Sequence, residues 1–188
     1  MNFTTMDEAY FYFVSRVQQL AIDQGRDVIG WDEIWAAFGT KLNKSTIVHA
    51  WRSAQVCVDA TKAGYRCLWS PYSAWYLDYL GVTWQAMYEQ DPCAGIDDTT
   101  CKSLLLGGGG EQWGETADTS DVLQTIWPRM AAIAERLWSP KSINSSASAT
   151  MRYAYHRCRL NSRGVAAAPY SNANARMQPS GPGGCLQQ

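Results

Sequence analysis

Strand-like runs alternate with helix-like segments along this chain, and this alternation is the strongest constraint on its fold. Four runs are predicted as strands: DVIGW (27–31), STIVHAW (45–51), YRCLWS (65–70) and KSLLLGG (102–108). The first of them is expected to be a short buried strand. Because strands that alternate with helices form βα units, the pattern predicts an α/β fold with a parallel sheet.

Helical periodicity fills most of the chain between and after these runs. The predicted helices cover residues 5–24, 53–63, 82–90, 122–137 and 147–161. Thr5 and Glu8 form a capping-box pattern at the start of the first helix. Pro128 lies inside the fourth, where it predicts a kink or a restart. A proline- and glycine-rich tail without regular structure is expected at the end.

Several aromatic and acidic side chains follow the predicted strands. They are Trp31, Trp51, Tyr76, Asp78, Trp113 and Glu115. In a (β/α)8 barrel, the residues that follow the strands line the C-terminal face, where the active site lies. A complete barrel has eight strands and typically ~250 residues, whereas about four βα units are visible in this sequence. The predicted architecture is therefore about half of a TIM barrel.

The segment 104–138 carries the most specific chemical pattern. It opens with an apolar run and four glycines, continues through Glu111, Trp113 and Glu115, and ends in an amphipathic helix. An indole can stack on the C–H face of a sugar ring, and carboxylates accept hydrogen bonds from sugar hydroxyls. The pattern is therefore typical of a carbohydrate site. A glycine hinge beside a buried tryptophan is the alternative interpretation.

Composition excludes several classes of function. The formal net charge is −1 and there is no basic block, so a nucleic-acid partner is not expected. No apolar run reaches the ~18 residues that a membrane span needs, and no signal peptide is visible at the N-terminus. The nine tryptophans and ten tyrosines suit an aromatic-lined pocket, although many of them must belong to the core.

Six cysteines lack the spacing of a zinc site, so no metal is expected. Two pairs bracket loops that have no core of their own: Cys93 with Cys101, and Cys158 with Cys185. Disulfides at these pairs imply an oxidising compartment. Cys57 and Cys67 fall in a predicted helix and a predicted strand, where free buried thiols are expected.

Three Asn-x-Ser/Thr sequons give candidate glycosylation sites at Asn2, Asn43 and Asn144. Such tripeptides also arise by chance, so they add only mild support to the cysteine pattern. Together, the two features favour a lysosomal or secreted protein. A targeting segment would then lie outside this sequence.

A set of motifs in a fixed order resembles one enzyme family. The motifs are IGWDEIW (29–35), VHAWR (48–52), KAGYRCLWS (62–70), WYLDYLG (75–81), GGEQWGE (109–115) and IWPRMAAIAERLWS (126–139). They resemble the C-terminal half of the catalytic domain of glycoside hydrolase family 20, the β-N-acetylhexosaminidases of the lysosomal type. The resemblance runs from about residue 7 to Cys185. It implies a half-barrel over residues 1–164 and a loop-rich, disulfide-closed tail over residues 165–188.

The resemblance implies a reaction and a set of partners. Members of this family remove terminal non-reducing N-acetylglucosamine or N-acetylgalactosamine, and the substrate acetamide attacks its own anomeric carbon. A glutamate acts as general acid and base, and a neighbouring aspartate orients the acetamide. No cofactor is implied. The implied partners are these glycans and the missing N-terminal half of the barrel, and a homodimer of the full-length protein remains open.

The matching positions imply specific roles. Trp31, Trp51 and Trp113 resemble the walls of the pocket for the terminal sugar. The Tyr76 hydroxyl resembles the group that positions the acetamide oxygen. Asp78 and Glu115 resemble acceptors for the O4 and O6 hydroxyls, and their charge would discourage substrates that are negative there. Glu111 is interpreted as structural.

Asp32 and Glu33 are adjacent carboxylates at a strand end, which makes them a tempting catalytic pair. The family's pair, however, lies on an earlier strand within a His-x-Gly-Gly-Asp-Glu type motif that is absent here. We therefore interpret Asp32 and Glu33 as structural and expect the general acid to lie outside this chain. The 188 residues alone are expected to be inactive. A non-catalytic N-acetylhexosamine-binding module or inactive half-barrel is the alternative.

Overall fold

A computed structural model describes residues 3–170, and the chain divides into two compact units. Unit 1 comprises Met1–Trp69 and Pro92–Gly107. Unit 2 comprises Ser70–Asp91 and Gly108–Gln188. Each unit is therefore built from two separate stretches of sequence.

The helices follow the chain in a regular order. They are α1 (Met6–Asp23), α2 (Asp32–Phe38), α3 (Gln55–Lys62), α4 (Tyr72–Trp75), α5 (Trp84–Tyr88), α6 (Asp98–Leu104), α7 (Val122–Ile126), α8 (Arg129–Trp138) and α9 (Ser146–Ser162). A 3₁₀ turn covers Gly39–Lys41. Among residues 3–170, no helix is both long and apolar enough to cross a bilayer.

Four strands form one sheet in the order in which they occur in the sequence. They are β1 (Ile29–Trp31), β2 (Ile47–Ala50), β3 (Arg66–Trp69) and β4 (Leu105–Gly108). The first three are parallel, with Ile29 opposite Ile47 and Ile47 opposite Arg66. This arrangement confirms the predicted α/β fold with parallel strands.

Strand β1 differs from its prediction because it is not buried. The side chain of Ile29 is 55% exposed. Within the described part of the chain, β1 is an edge strand that pairs only with β2. A short apolar run does not show whether a strand has one neighbour or two, so the sequence could not reveal this. A Cβ at Gly30 would lie 2.3 Å from Cδ1 of Ile34 in α2, so a larger residue there would require the Ile34 side chain to move.

Helix α1 begins as predicted. The Thr5 hydroxyl accepts the Glu8 N–H at 3.2 Å, and the Glu8 carboxylate accepts the N–H of Thr4 at 2.8 Å. Helices α2, α4 and α6 were not predicted. In α6, the helix runs to Leu104 and so replaces the start of the predicted fourth strand. Its N-cap is Asp97, whose side chain accepts the Thr100 N–H at 2.9 Å.

Two disulfides lie in unit 1. Cys93 and Cys101 form the predicted pair, with Cα atoms 5.7 Å apart. Cys57 and Cys67 also form a disulfide, with Cα atoms 5.5 Å apart, so the expectation of free thiols was wrong. The reason is that α3 packs on β3, which brings the two side chains together. The predicted Cys158–Cys185 pair includes a residue outside the described part of the chain.

Unit 2 has an aromatic core around α5, α8 and α9. Its buried members are Trp84, Tyr88, Ala132, Ala149 and Tyr153. The rings of Trp84 and Tyr153 stack with centroids 4.1 Å apart. Helix α8 restarts after Pro128, as predicted, because proline can begin a helix but not continue one.

Candidate functional site

In unit 1, the carboxylate of Asp32 is fully buried and fully engaged. It accepts the backbone N–H of Trp51 at 3.1 Å and that of Arg52 at 3.0 Å. It also forms an ion pair with the Arg52 guanidinium. Asp32 therefore fixes the backbone at the end of β2. A group committed in this way is not a free general acid, which agrees with its interpretation as structural.

The neighbouring carboxylate acts on the same tryptophan. Glu33 is exposed, and both of its oxygens lie 3.1 Å from the indole nitrogen of Trp51, whose N–H they accept. Asp32 thus holds the backbone of Trp51, and Glu33 holds its side chain. The acidic pair at the end of β1 is accounted for as a support for Trp51.

Trp31 forms an aromatic platform with His49. The two rings stack with centroids 4.3 Å apart and an interplanar angle of 18°. Trp31 is 39% exposed. Burial lowers the pKa of His49, and the charge of Asp32 acts in the opposite direction. The imidazole is therefore neutral near neutral pH. Sequence reasoning missed His49, because neither its neighbours nor its spacing distinguishes it.

In unit 2, a backbone bridge joins the segments that carry Tyr76 and Trp113. Tyr76 and Glu111 form a parallel bridge, in which the Leu77 N–H donates to the Glu111 carbonyl at 2.7 Å. The Glu111 N–H donates to the Trp75 carbonyl at 3.0 Å. The rings of Tyr76 and Trp113 consequently lie 6.3 Å apart, centroid to centroid. Two predicted site residues are thus brought together.

One glycine before Trp113 lies close to two side chains of α8. A Cβ at Gly110 would lie 2.4 Å from Sδ of Met130 and 2.9 Å from Cδ1 of Ile133. Helix α8 therefore packs directly on the backbone at this position. The glycine run lets the chain pass close to α8 and still present Trp113, which is 40% exposed.

Asp78 follows Tyr76 in the same segment and is partly buried. Its Oδ1 atom is inaccessible to solvent and accepts no hydrogen bond from the described residues. Its backbone carbonyl accepts the Thr116 hydroxyl at 3.3 Å, which ties it to the loop that carries the exposed Glu115. A buried carboxylate oxygen without a donor is costly, so native structures usually satisfy it or reserve it for a ligand.

Glu111 is half-buried. Burial raises its pKa, while a hydrogen bond from the Ser70 side chain acts in the opposite direction. The Ser70 oxygen also accepts the Gly109 N–H at 3.0 Å. Glu111 therefore braces the glycine-rich segment through its backbone and its side chain. This geometry is compatible with its interpretation as structural.

Replacing Glu111 by glutamine is expected to raise the melting temperature near pH 7, with a gain that shrinks as the pH falls toward about 4. A carboxyl whose folded pKa is raised costs stability once the pH exceeds its unfolded pKa. Glutamine is neutral at every pH and avoids that cost. Thermal denaturation of the full chain across this pH range measures the effect. A gain that is independent of pH would contradict this explanation.

The remaining predicted sites are distributed as follows. Trp31 and Trp51 belong to unit 1, and Tyr76, Asp78, Trp113 and Glu115 belong to unit 2. The candidate glycosylation residues Asn43 and Asn144 are both exposed, whereas Asn2 lies outside the described residues.

Comparison with known proteins identifies relatives along the whole chain. The family profile described as glycosyl hydrolase family 20, catalytic domain, matches residues 1–141. β-Hexosaminidase 1 of Arabidopsis thaliana is 47% identical over 191 residues, which cover 100% of this chain and 35% of that protein. β-Hexosaminidase 3 of the same plant is 46% identical, covering 96% of this chain and 34% of that protein. The chain therefore spans about a third of the length of these curated relatives.

Solved structures show the same fold. A chitobiase of Flavobacterium johnsoniae is 32% identical, with a TM-score of 0.75, and the match covers 86% of this chain and 25% of that one. An exo-β-N-acetylglucosaminidase of Vibrio harveyi, solved in complex with N-acetylglucosamine, has a TM-score of 0.77 at 23% identity. That match covers 88% of this chain and 28% of that one, and it shows the fold alone.

Proposed function

The chain belongs to glycoside hydrolase family 20, and on this basis we propose that it is the sugar-recognising part of a β-N-acetylhexosaminidase. Its substrates are then glycoconjugates or chitooligosaccharides with a terminal non-reducing N-acetylhexosamine. The names of its relatives support this assignment, since they are β-hexosaminidases and a chitobiase. Residues 1–164 form the C-terminal half of the catalytic barrel in this proposal, and residues 165–188 form its tail.

Two surfaces of unit 1 support the half-barrel. Helix α1 exposes apolar side chains at helical spacing: Met6, Tyr10, Phe13, Val17 and Leu20. Strand β1 is an edge strand with an exposed Ile29. Exposed apolar helix faces and unpaired strand edges are features that proteins normally cover. The preceding βα units of a longer chain would cover both.

The observation that carries the proposed function is the unsatisfied Oδ1 of Asp78. It lies two residues after Tyr76, whose ring neighbours Trp113. A carboxylate on the same short segment as an aromatic side chain suits recognition of a sugar, because aromatic rings stack on C–H groups and a carboxylate accepts a hydrogen bond from a hydroxyl. We assign Asp78 and Glu115 as hydroxyl acceptors, and Tyr76 as the group that positions the acetamide.

The aromatic residues of unit 1 have a related role in this proposal. Trp51 is held by Asp32 and Glu33, and Trp31 is stacked on His49, and we assign each indole as a surface that packs against an N-acetyl sugar. Their rigid support lowers the entropic cost of binding. The general acid and the acetamide-orienting aspartate are supplied by a segment outside this sequence. A lysosomal or secreted location fits the disulfides.

Binding of N-acetylglucosamine to the full chain tests this function. We expect a titration followed by amide and indole NMR resonances to show binding, and we expect Asp78→Ala to weaken it about tenfold or more, as loss of a hydrogen bond to a charged group does. Asp98→Ala is the matched control, because Asp98 is an exposed carboxylate in the first turn of α6.

The outcomes separate the interpretations. Binding that is lost in Asp78→Ala and kept in Asp98→Ala supports the proposal. A wild-type chain that melts cooperatively but binds no N-acetylglucosamine contradicts it. Binding without hydrolysis in every context, including a complete barrel, would favour the non-catalytic sugar-binding module.

A further inference from the structure

Arg129 makes an unusual set of contacts for a buried cation. The residue is 8% exposed and lies at the start of α8. One amino group of its guanidinium donates to the carbonyls of Tyr79 at 3.1 Å and Val82 at 3.2 Å. The other donates to the carbonyls of Leu77 and Thr125. All of these groups belong to unit 2.

Two of these contacts lie on either side of Asp78 in the chain. Leu77 and Tyr79 are its two neighbours in the chain, and a single guanidinium bonds the carbonyls of both. The backbone on each side of Asp78 is therefore fixed to one rigid, planar group. A lysine offers a compact point charge and lacks the planar fork that can bond this set of carbonyls.

The contacts also leave Oδ1 of Asp78 without a hydrogen-bond donor from the described residues. The two amino groups of Arg129 have four N–H donors. Four backbone carbonyl oxygens accept hydrogen bonds from them. Burial lowers the pKa of Arg129, while electrostatic interactions with Tyr153 and Asp78 act in the opposite direction, so Asp78 lies within electrostatic range of the guanidinium. Asp78 thus lies near a cation whose amino groups donate to backbone carbonyls. Oδ1 of Asp78 accepts no hydrogen bond from the described residues.

We infer that Arg129 is a positioning residue for sugar recognition: it fixes the backbone around Asp78 and leaves Oδ1 of Asp78 without a donor among the described residues, so that a sugar hydroxyl can satisfy it. This inference rests on the proposed function and deepens it. Arg129 touches no substrate in this scheme. Its effect on binding passes entirely through Asp78, so it determines hydroxyl specificity rather than general affinity.

Discrimination between sugars separates this role from a merely structural one. Two sugars are compared with N-acetylglucosamine: its 4-deoxy and its 6-deoxy derivative. In the wild-type chain, the derivative that lacks the hydroxyl bound by Asp78 is expected to bind about tenfold or more weakly than N-acetylglucosamine, because Asp78 loses that hydrogen bond. In Arg129→Lys, this ratio is expected to fall toward one. If Arg129 only stabilised the fold, Arg129→Lys would weaken the binding of both sugars equally and leave the ratio of their affinities unchanged.

The chain offers a matched control in the same helix. Arg136 is 6% exposed and donates to the carbonyls of Gln90 and Lys141, which lie away from Asp78 in the sequence. Arg136→Lys removes a comparable buried guanidinium and is expected to keep the discrimination ratio. Asp78→Ala is expected to abolish the ratio, as Arg129→Lys does.

The outcomes are distinguishable. If the wild-type chain binds none of the sugars, the proposed function and this inference both fail. If the wild-type chain discriminates and Arg129→Lys discriminates equally well, only the positioning role fails. A ratio near one in Arg136→Lys as well as in Arg129→Lys would also overturn the positioning role of Arg129.

A measurement on the wild-type chain covers the case in which Arg129→Lys does not fold. The Nη resonances of Arg129 are expected to shift when N-acetylglucosamine is added, and to shift much less with the deoxy sugar that binds weakly, even at matched occupancy. Equal shifts at matched occupancy, or none with either sugar, would show that Arg129 does not act through Asp78.

Discussion

Replacing Asp32 by alanine is expected to lower the free energy of unfolding by about 3 kcal/mol. The substitution leaves the backbone N–H groups of Trp51 and Arg52 without their acceptor and removes the partner of the Arg52 guanidinium. Because the Arg52 side chain is partly exposed, the loss falls at the lower end of the range for broken buried pairs. Urea denaturation of the full chain measures it.

Asp27 provides the matched control. Its carboxylate is largely exposed and pairs with Arg66 at 2.9 Å on the surface of unit 1. Asp27→Ala is expected to change the free energy of unfolding by less than about 1 kcal/mol, as exposed ion pairs do. Similar losses in the two variants would contradict the assignment of Asp32 as the brace of the β2 terminus.

The second large effect concerns catalysis. The 188-residue chain alone is expected to hydrolyse 4-nitrophenyl N-acetyl-β-glucosaminide at no measurable rate. Proton donation to the leaving group typically contributes ~10²–10⁴-fold, and the acetamide-orienting aspartate contributes further. Asp32 is committed to backbone N–H groups, and Glu33 to the Trp51 indole, so neither is placed as a free proton donor. Release of 4-nitrophenol, followed by absorbance, measures the rate.

Glu33→Gln serves as the control for this prediction. Turnover by the pure chain that disappears in Glu33→Gln would show that the acidic pair is catalytic after all. Background turnover that is equal in the wild-type chain and in Glu33→Gln would come from a contaminating enzyme.

Much of the fold could be predicted, because local signals and the final structure agree. The Thr5 cap, the Pro128 restart and the four apolar runs each act over a few residues, and each corresponds to an observed boundary. Parallel pairing followed from the alternation of strands and helices, since consecutive parallel strands need a crossover between them.

The errors arose where distant packing decides the outcome. The Cys57–Cys67 disulfide depends on how α3 lies on β3, and the exposure of Ile29 depends on how many strands pair with β1. Helix α2 was missed because its apolar residues, which include Ile34 and Trp35, follow directly on β1 without a separating turn.

The candidate site also has parts that the sequence predicted and parts that it could not. Motif order predicted Trp113 and Asp78 as site residues, and the structure adds the ring contact of Trp113 with Tyr76 and the unsatisfied Oδ1 of Asp78. The contacts of Arg129 could not be predicted, because most of them join its guanidinium to carbonyls about fifty residues away in the chain. Such contacts leave no local pattern.

The most direct test of the central claim is the rate of 4-nitrophenyl N-acetyl-β-glucosaminide hydrolysis by a graft. In the graft, this chain replaces the matching third of Arabidopsis β-hexosaminidase 1, to which it is 47% identical. We expect turnover by the graft, retention of most of it in Glu33→Gln, about a tenfold or greater loss in Asp78→Ala, and none by the chain alone. A folded graft without turnover, or turnover by the chain alone that depends on Glu33, would contradict the claim.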